Sequence, residues 1–290
     1  MKDDMGGREE PVLQHPLGYG SSSVVYAASL GGEEVAVKQA QKRRKEDTDM
    51  ESPFRYEWEV LQRVAGSPWV VRGLFHYMTR RYYCLVLQRC GQTLDSFGQD
   101  LRANKPPSQE TLGLVLQVIQ NMYAGVRYLH QCGLVIRDVS TRNFLQHPDD
   151  PSLFVLCDLA SAVWFVEGEQ YQDTKVTPRY ASHRLNIGET ISFQDDFEAL
   201  GYVIIDFLTD RLPWRNCKNP RLIREIKTRC LQSPGRYYST LPPFLRCLIT
   251  PYTTTPLDSL LMKLTTVDLE SLYTSYPDLA SDFAEFDGLF

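Results

Sequence analysis

The chain has 290 residues, 43% hydrophobic and 23% charged, a balance that suits a globular protein with a sizeable core. Its net charge of -5 offers no global attraction for nucleic acid, and no apolar run approaches the length of a membrane span. Met1 to Glu10 is polar and acidic, without a signal-peptide core. Seven cysteines are scattered with no CxxC pair and no zinc-type His/Cys spacing. An odd count without an export signal predicts free thiols in a reducing compartment, cytoplasmic or nuclear.

In chain order, Val24–Ala28 and Glu34–Lys38 flank the turn signal Leu30-Gly31-Gly32-Glu33, which predicts a hairpin. Phe54 to Ala65 carries Phe54, Trp58, Leu61 and Val64 at helical spacing and stops at Gly66-Ser67-Pro68. Val70–Phe75 and Tyr82–Leu87 are β-branched and aromatic and predict a second hairpin. After Gly91 the pattern changes. Thr111 to Cys132 is a long amphipathic helix, and Phe193–Thr209 and Arg221–Leu231 read as further helices. Strands segregated from helices predict an α+β fold joined near Gln88 to Cys90. The expected divisions are a tail over 1–10, a front lobe over 11–90, a back lobe over 91–275 and an acidic, hydrophobic tail over 276–290.

Several residues in this order suggest phosphate chemistry. Gly18-Tyr19-Gly20-Ser21-Ser22-Ser23-Val24-Val25 opens the first hairpin. Its glycines allow close backbone approach to phosphate oxygens, and its serines can donate hydrogen bonds. Lys38 ends the next apolar strand, where it can reach back beneath the glycine turn. A buried cation there needs a carboxylate. Glu57 is favoured over Glu59, because Trp58, Leu61 and Val64 mark the packed stripe beside it. Further on, Asp138 and Asn143 lie five apart in a polar turn, and Asp158 follows the apolar Leu156-Cys157. Asp138 suits a proton acceptor, and Asn143 with Asp158 offers hard oxygen ligands for magnesium.

These segments together resemble a eukaryotic protein kinase domain, and within it the casein kinase 1 group, which includes the vaccinia-related kinases. The likeness runs from about Leu17 to about Tyr273 and is most specific at Thr177-Pro178-Arg179-Tyr180-Ala181-Ser182. Asp195-Asp196-Phe197-Glu198-Ala199-Leu200-Gly201-Tyr202 and Leu212-Pro213-Trp214 also resemble that group. The resemblance implies a bilobal fold with ATP and magnesium between the lobes. It implies family positions for Gly18, Gly20, Lys38, Glu57, Asp138, Asn143 and Asp158, and nucleotide contacts from Ser21, Ser22, Ser23 and Val25. It makes Leu87 the gatekeeper, Gln88 to Cys90 the adenine hinge, and Asp196 a buried acid holding the catalytic loop. Arg179 matches a residue that binds acidic or phosphorylated substrate, and Lys227 or Arg224 would extend that patch.

The pattern also departs from the family. Ser23 replaces the third glycine, Ile136 the histidine before Arg137-Asp138, and Ala160 the glycine after Asp158-Leu159. Ser140 stands where Ser/Thr kinases carry a phosphate-neutralising lysine. Arg142, two residues on, resembles the arginine of tyrosine kinases and takes that role. The leading expectation is a Ser/Thr protein kinase acting on protein substrates, with no nucleic-acid or membrane partner. The alternative is a pseudokinase or scaffold that still holds nucleotide, suggested by Ile136, Ser140 and Ala160.

Overall fold

The computed structural model describes residues 9–20, 22–44, 46–103, 107–166 and 178–233, together with Leu269. Expectations for Ser21, Thr177 and the tail over 276–290 lie outside these residues.

The front lobe is a five-stranded antiparallel sheet. Its strands are β1 (Val12–Tyr19), β2 (Val24–Leu30), β3 (Glu33–Gln41), β4 (Gly73–Met78) and β5 (Tyr82–Gln88), in the order β1-β2-β3-β5-β4. The predicted hairpin turns through Gly31 and Gly32, both at positive φ (59° and 91°), the region that glycine enters without a Cβ clash. Register decides function here. Gly18 pairs with Val25, Val25 with Lys38, and Lys38 with Leu85, so one row crosses four strands from the glycine turn to the sheet centre. Paired residues share a face. Ala36 and Leu87, paired two residues along, share that face with Lys38.

Helix α1 (Arg55–Arg63) packs on the sheet through Val60 and Leu61, with Val64 just beyond its end, all at most 3% exposed. Its buried stripe also includes Glu57. The fourth strand begins later than expected. Trp69 to Val71 pairs with the back lobe instead: Val71 N donates to Leu156 O (2.9 Å) and Leu156 N to Trp69 O (2.8 Å). The β-branched residues there are strand-like because they join the lobes, and β4 proper starts at Gly73.

The back lobe contains α2 (Leu94–Ala103), α3 (Gln109–Gln131), α4 (His183–Asn186), α5 (Phe193–Thr209) and α6 (Pro220–Gln232). Two short pairings, β6 (Leu134–Val135) with β9 (Val163–Trp164) and β7 (Phe144–His147) with β8 (Asp150–Leu156), shape the loops facing the sheet. Helix α5 is buried from Ala199 to Thr209, an apolar circumference that marks a central helix. One core cluster runs from Leu61 and Leu85 through Ile119 to Trp214 and so spans both lobes. Among the described residues no helix is long and apolar enough to cross a membrane.

Helix α2 lies unusually close to α5. A Cβ on Gly98 would sit 2.8 Å from Phe207 O and 3.0 Å from the Phe207 ring. Gly98→Ala gains about 1 kcal/mol of helix propensity but must displace backbone. A net loss of about 1–2 kcal/mol is expected, read as a lower denaturation midpoint at unchanged slope. A raised midpoint would refute the close packing.

Candidate active site

Lys38 Nζ lies 2.8 Å from Glu57 Oε2 and 2.7 Å from Asp158 Oδ1. Its side chain is 11% exposed and that of Glu57 1%, whereas that of Asp158 is 46% exposed. Burial opposes the Lys38 charge, but the Glu57 and Asp158 carboxylates outweigh it and hold the ammonium up to about 12. Glu59 points elsewhere, pairing with Arg55 on the exposed side of α1. A hydroxyl one residue before Glu57 strengthens the arrangement: Tyr56 donates to Ala162 O (2.8 Å), tying α1 to the segment after Asp158. Asp158 is held in the left-handed region (φ 57°), Leu159 is fully buried and Ala160 is exposed.

The glycine turn closes above this pair. Gly20 N donates to Ser23 O (2.8 Å), and a Cβ on Gly20 would meet Ser23 Oγ at 3.1 Å. A Cβ on Gly18 would meet nothing within 4 Å, so the space beside its backbone is open. Ser22 is exposed, and Ser23 and Val25 are half-buried. Leu87 is 7% exposed on the face it shares with Lys38. In the hinge, Gln88 N donates to Arg72 O (2.9 Å), the Cys90 thiol to Gln88 O (3.9 Å) and Arg89 to Cys90 O (2.6 Å). Burial pushes the Cys90 thiol up to about 11 and that of Cys157 well above the usual range, so both stay protonated.

Across the cleft, Asn143 Nδ2 donates to Asp138 O (2.9 Å) and to Asp138 Oδ2 (3.1 Å). With its nitrogen committed, the Asn143 amide has its oxygen left for a cation. Ser140 is buried at 8% exposure, while Arg142 is exposed and makes no ion pair among the described residues. The loop is fixed from below. Asp196, 1% exposed, accepts from Ile136 N (2.7 Å), Arg137 N (2.8 Å) and His130 Nε2 (2.8 Å). A carboxylate here only accepts, so His130 carries its proton on Nε2. Ile136 lies in the same buried core as Leu61 and Leu159.

Sequence reasoning missed a polar chain beside this loop. Thr141 Oγ1 lies 3.1 Å from the Tyr180 hydroxyl, which donates to Asp206, and Asp206 pairs with Arg215. Arg215 also meets Asp210 (2.6 Å) and Asp95 (3.7 Å). Because Tyr180 donates to Asp206, Thr141 donates to Tyr180, joining the catalytic loop to segment 178–182. The partners lie 26 and 39 residues apart, and no local spacing could signal them.

The surface role expected for Lys227 is corrected. Its side chain is fully buried and donates to Pro178 O (2.9 Å) and Ala181 O (2.5 Å), with Tyr202 and Trp214 ring centroids at 4.7 and 4.9 Å. Burial pushes its ammonium down to about 7, with Glu198 acting the other way. A long basic side chain on an amphipathic helix reads as surface, but here its stem and charge fill the interior. Arg179 itself is half-buried, with its carbonyl taken by Trp214 Nε1 at 2.7 Å.

A sheet whose lysine is paired to a helix glutamate, set over one loop holding Asp138 and Asn143 and a second holding Asp158, defines the bilobal α+β fold of a protein kinase. The chain belongs to the protein kinase domain family, whose model matches residues 12–271. A probable serine/threonine-protein kinase of Dictyostelium discoideum is 27% identical over 73% of the chain and 43% of its own length. G protein-coupled receptor kinase 2 of Drosophila melanogaster is 27% identical over 77% of the chain and 31% of its own. Casein kinase 1-like protein HD16 of Oryza sativa subsp. japonica is 31% identical over 73% of the chain and 32% of its own. The chain thus spans less than half the length of each of these relatives.

Proposed function

We propose that this chain is an active protein kinase that transfers the γ-phosphate of ATP to serine or threonine hydroxyls of proteins. The observation that carries the reading is the closed Lys38–Glu57 pair with Asp158 on the same ammonium, opposite an Asp138 bonded to Asn143. Kinase chemistry needs positioned charge more than covalent help, and this cluster supplies it.

In this reading adenine lies against the hinge, Gln88 to Cys90, below Leu87. Gln88 N–H is already committed to Arg72 and Cys90 O to Arg89, so this reading gives the base Gln88 O and Cys90 N–H. The phosphates lie under Gly18, Gly20, Ser22, Ser23 and Val25, with Lys38 on the α- and β-phosphates. The Asn143 and Asp158 oxygens fit magnesium, which would neutralise charge on the phosphates. Among the described residues no group of three or more His, Cys, Asp or Glu could hold a metal. Two protein ligands suit a cation that takes its remaining oxygens from nucleotide and water. The substrate hydroxyl attacks the γ-phosphorus, the bond to the bridging oxygen breaks, ADP leaves, and Asp138 accepts the hydroxyl proton.

Arg142 stabilises charge on the transferring group, a role that buried Ser140 cannot take. Arg142→Ala is expected to lower kcat about 10²–10³-fold with little change in the KM for ATP, in steady-state assays. An equal loss on Ser140→Ala alone would reverse the assignment. Arg179 gives the site a preference for acidic or phosphorylated protein substrates, as the resemblance of the Arg179 segment to the casein kinase 1 group implies. A reducing compartment, cytoplasmic or nuclear, suits the free thiols at Cys84, Cys90, Cys132, Cys157, Cys217 and Cys230.

The deciding experiment is transfer from labelled ATP with magnesium to casein and to the chain itself, with Asp138→Asn in parallel. Transfer that disappears in the variant supports the kinase. No transfer, with ATP still raising the melting temperature, moves the reading to a nucleotide-binding pseudokinase. Neither transfer nor a thermal shift leaves a scaffold.

A further inference from the structure

Segment 178–182 is held by an unusual device. Three of its carbonyls, those of Pro178, Arg179 and Ala181, accept from two fully buried side chains, Lys227 and Trp214. Asn186 adds donations to Ala181 O (3.1 Å) and Ser182 O (3.0 Å). Among the described residues no carboxylate lies within ion-pairing distance of Lys227. Its ammonium instead meets two carbonyl dipoles and two aromatic faces, each attractive to a cation. With the carbonyls turned inward, the Arg179 side chain keeps its contact with solvent. Tyr180, the next residue, touches Thr141, three residues from Asp138, so the segment that carries Arg179 is joined to the catalytic loop.

We infer that Lys227 and Trp214 are positioning residues for substrate selection: from inside the back lobe they fix the backbone that presents Arg179 to an acidic or phosphorylated peptide. This rests on the proposed substrate class. Lys227 never touches the peptide. It acts by holding Arg179 at one place and orientation, which a bound anion rewards and a neutral peptide does not.

The test is fluorescence anisotropy of two labelled peptides, one acidic and one neutral of equal length, on the full chain. The variants are Lys227→Met, Trp214→Phe, Arg179→Ala and each of the first two combined with Arg179→Ala. Trp214→Phe keeps an aromatic ring in the slot but removes the N–H to Arg179 O together with one fused ring, so it carries the test if Lys227→Met does not fold, and the combination with Arg179→Ala separates the lost donor from the lost packing. Each positioning variant should weaken acidic-peptide binding about tenfold, leave the neutral peptide and the ATP thermal shift unaltered, and add nothing once Arg179 is alanine. Effects that multiply with Arg179→Ala would mean general loosening of the lobe and overturn the inference. So would unchanged acidic binding in Trp214→Phe, or a wild-type chain that binds both peptides alike. The two readings separate cleanly. Selective acidic binding without phosphate transfer would remove the kinase and keep the inference. Transfer without acidic selectivity would do the reverse.

Discussion

Asp138→Asn should lower phosphate transfer about 10³-fold while nucleotide still binds. The substitution is close to isosteric, and its amide oxygen can accept from Asn143 Nδ2 as the Asp138 side chain does at 3.1 Å. The backbone bond from Asn143 to Asp138 O is untouched. Loop geometry therefore survives, and what is lost is the group that takes the hydroxyl proton. Lys38, Glu57 and Asp158 lie across the cleft and keep their pairing. The checks are kcat with labelled ATP and the ATP-induced melting shift. The expected pair of results is a collapsed kcat and a preserved shift. A kcat within about threefold of wild type would mean that Asp138 is not the proton acceptor. Loss of both would mean that the site had deformed and that the comparison concerned structure, not chemistry.

The elements legible in the sequence were those whose signal is local. Helix α1 and the choice of Glu57 over Glu59 followed from the stripe through Trp58, Leu61 and Val64, because 3.6-residue periodicity fixes which acid faces inward. The glycine turn, Lys38 and the 138–143 loop were legible because chemistry constrains both residue type and spacing. Strand β1 was not, since Gln14, His15 and Pro16 break any alternation. It is held mainly by backbone pairing to β2. Strand β4 was placed early because Val70 and Val71 are β-branched for a different reason, their pairing with Leu156. Lys227 was misread because periodicity reports which face a residue occupies, not what the neighbouring helix brings to it. Only the fold places Tyr202, Trp214 and two carbonyls around one ammonium. The chain Thr141–Tyr180–Asp206–Arg215 was hidden for the same reason.

Asp196→Ala should cause the largest loss of stability among single changes at this site. Its carboxylate is 1% exposed and accepts three donors, Ile136 N, Arg137 N and His130 Nε2. Truncation leaves two backbone amides and an imidazole N–H unpaired in a region too enclosed for full hydration, and each orphaned group costs about 1–3 kcal/mol. Arg137 adds to this, because its φ of 70° lies in the left-handed region, where a side chain costs about 1–2 kcal/mol. The bond to Arg137 N offsets that strain, so its removal lets the loop relax away from the geometry that carries Asp138. His130 is packed between Phe193 and Phe197, with ring centroids at 4.8 and 4.7 Å, and cannot swing out to find water. The sum is about 4 kcal/mol, a large share of a typical domain's stability, and it corresponds to a melting temperature lower by about 10 °C. Calorimetry on the wild type and on Asp196→Ala measures it directly. A shift of only one or two degrees would mean that the three donors find other partners and that the loop is held by its apolar packing at Ile136 and Val139 instead. Asp196→Asn sharpens the comparison. Its oxygen can still accept from one side, but its NH₂ must face a donor, so it should recover only part of the loss.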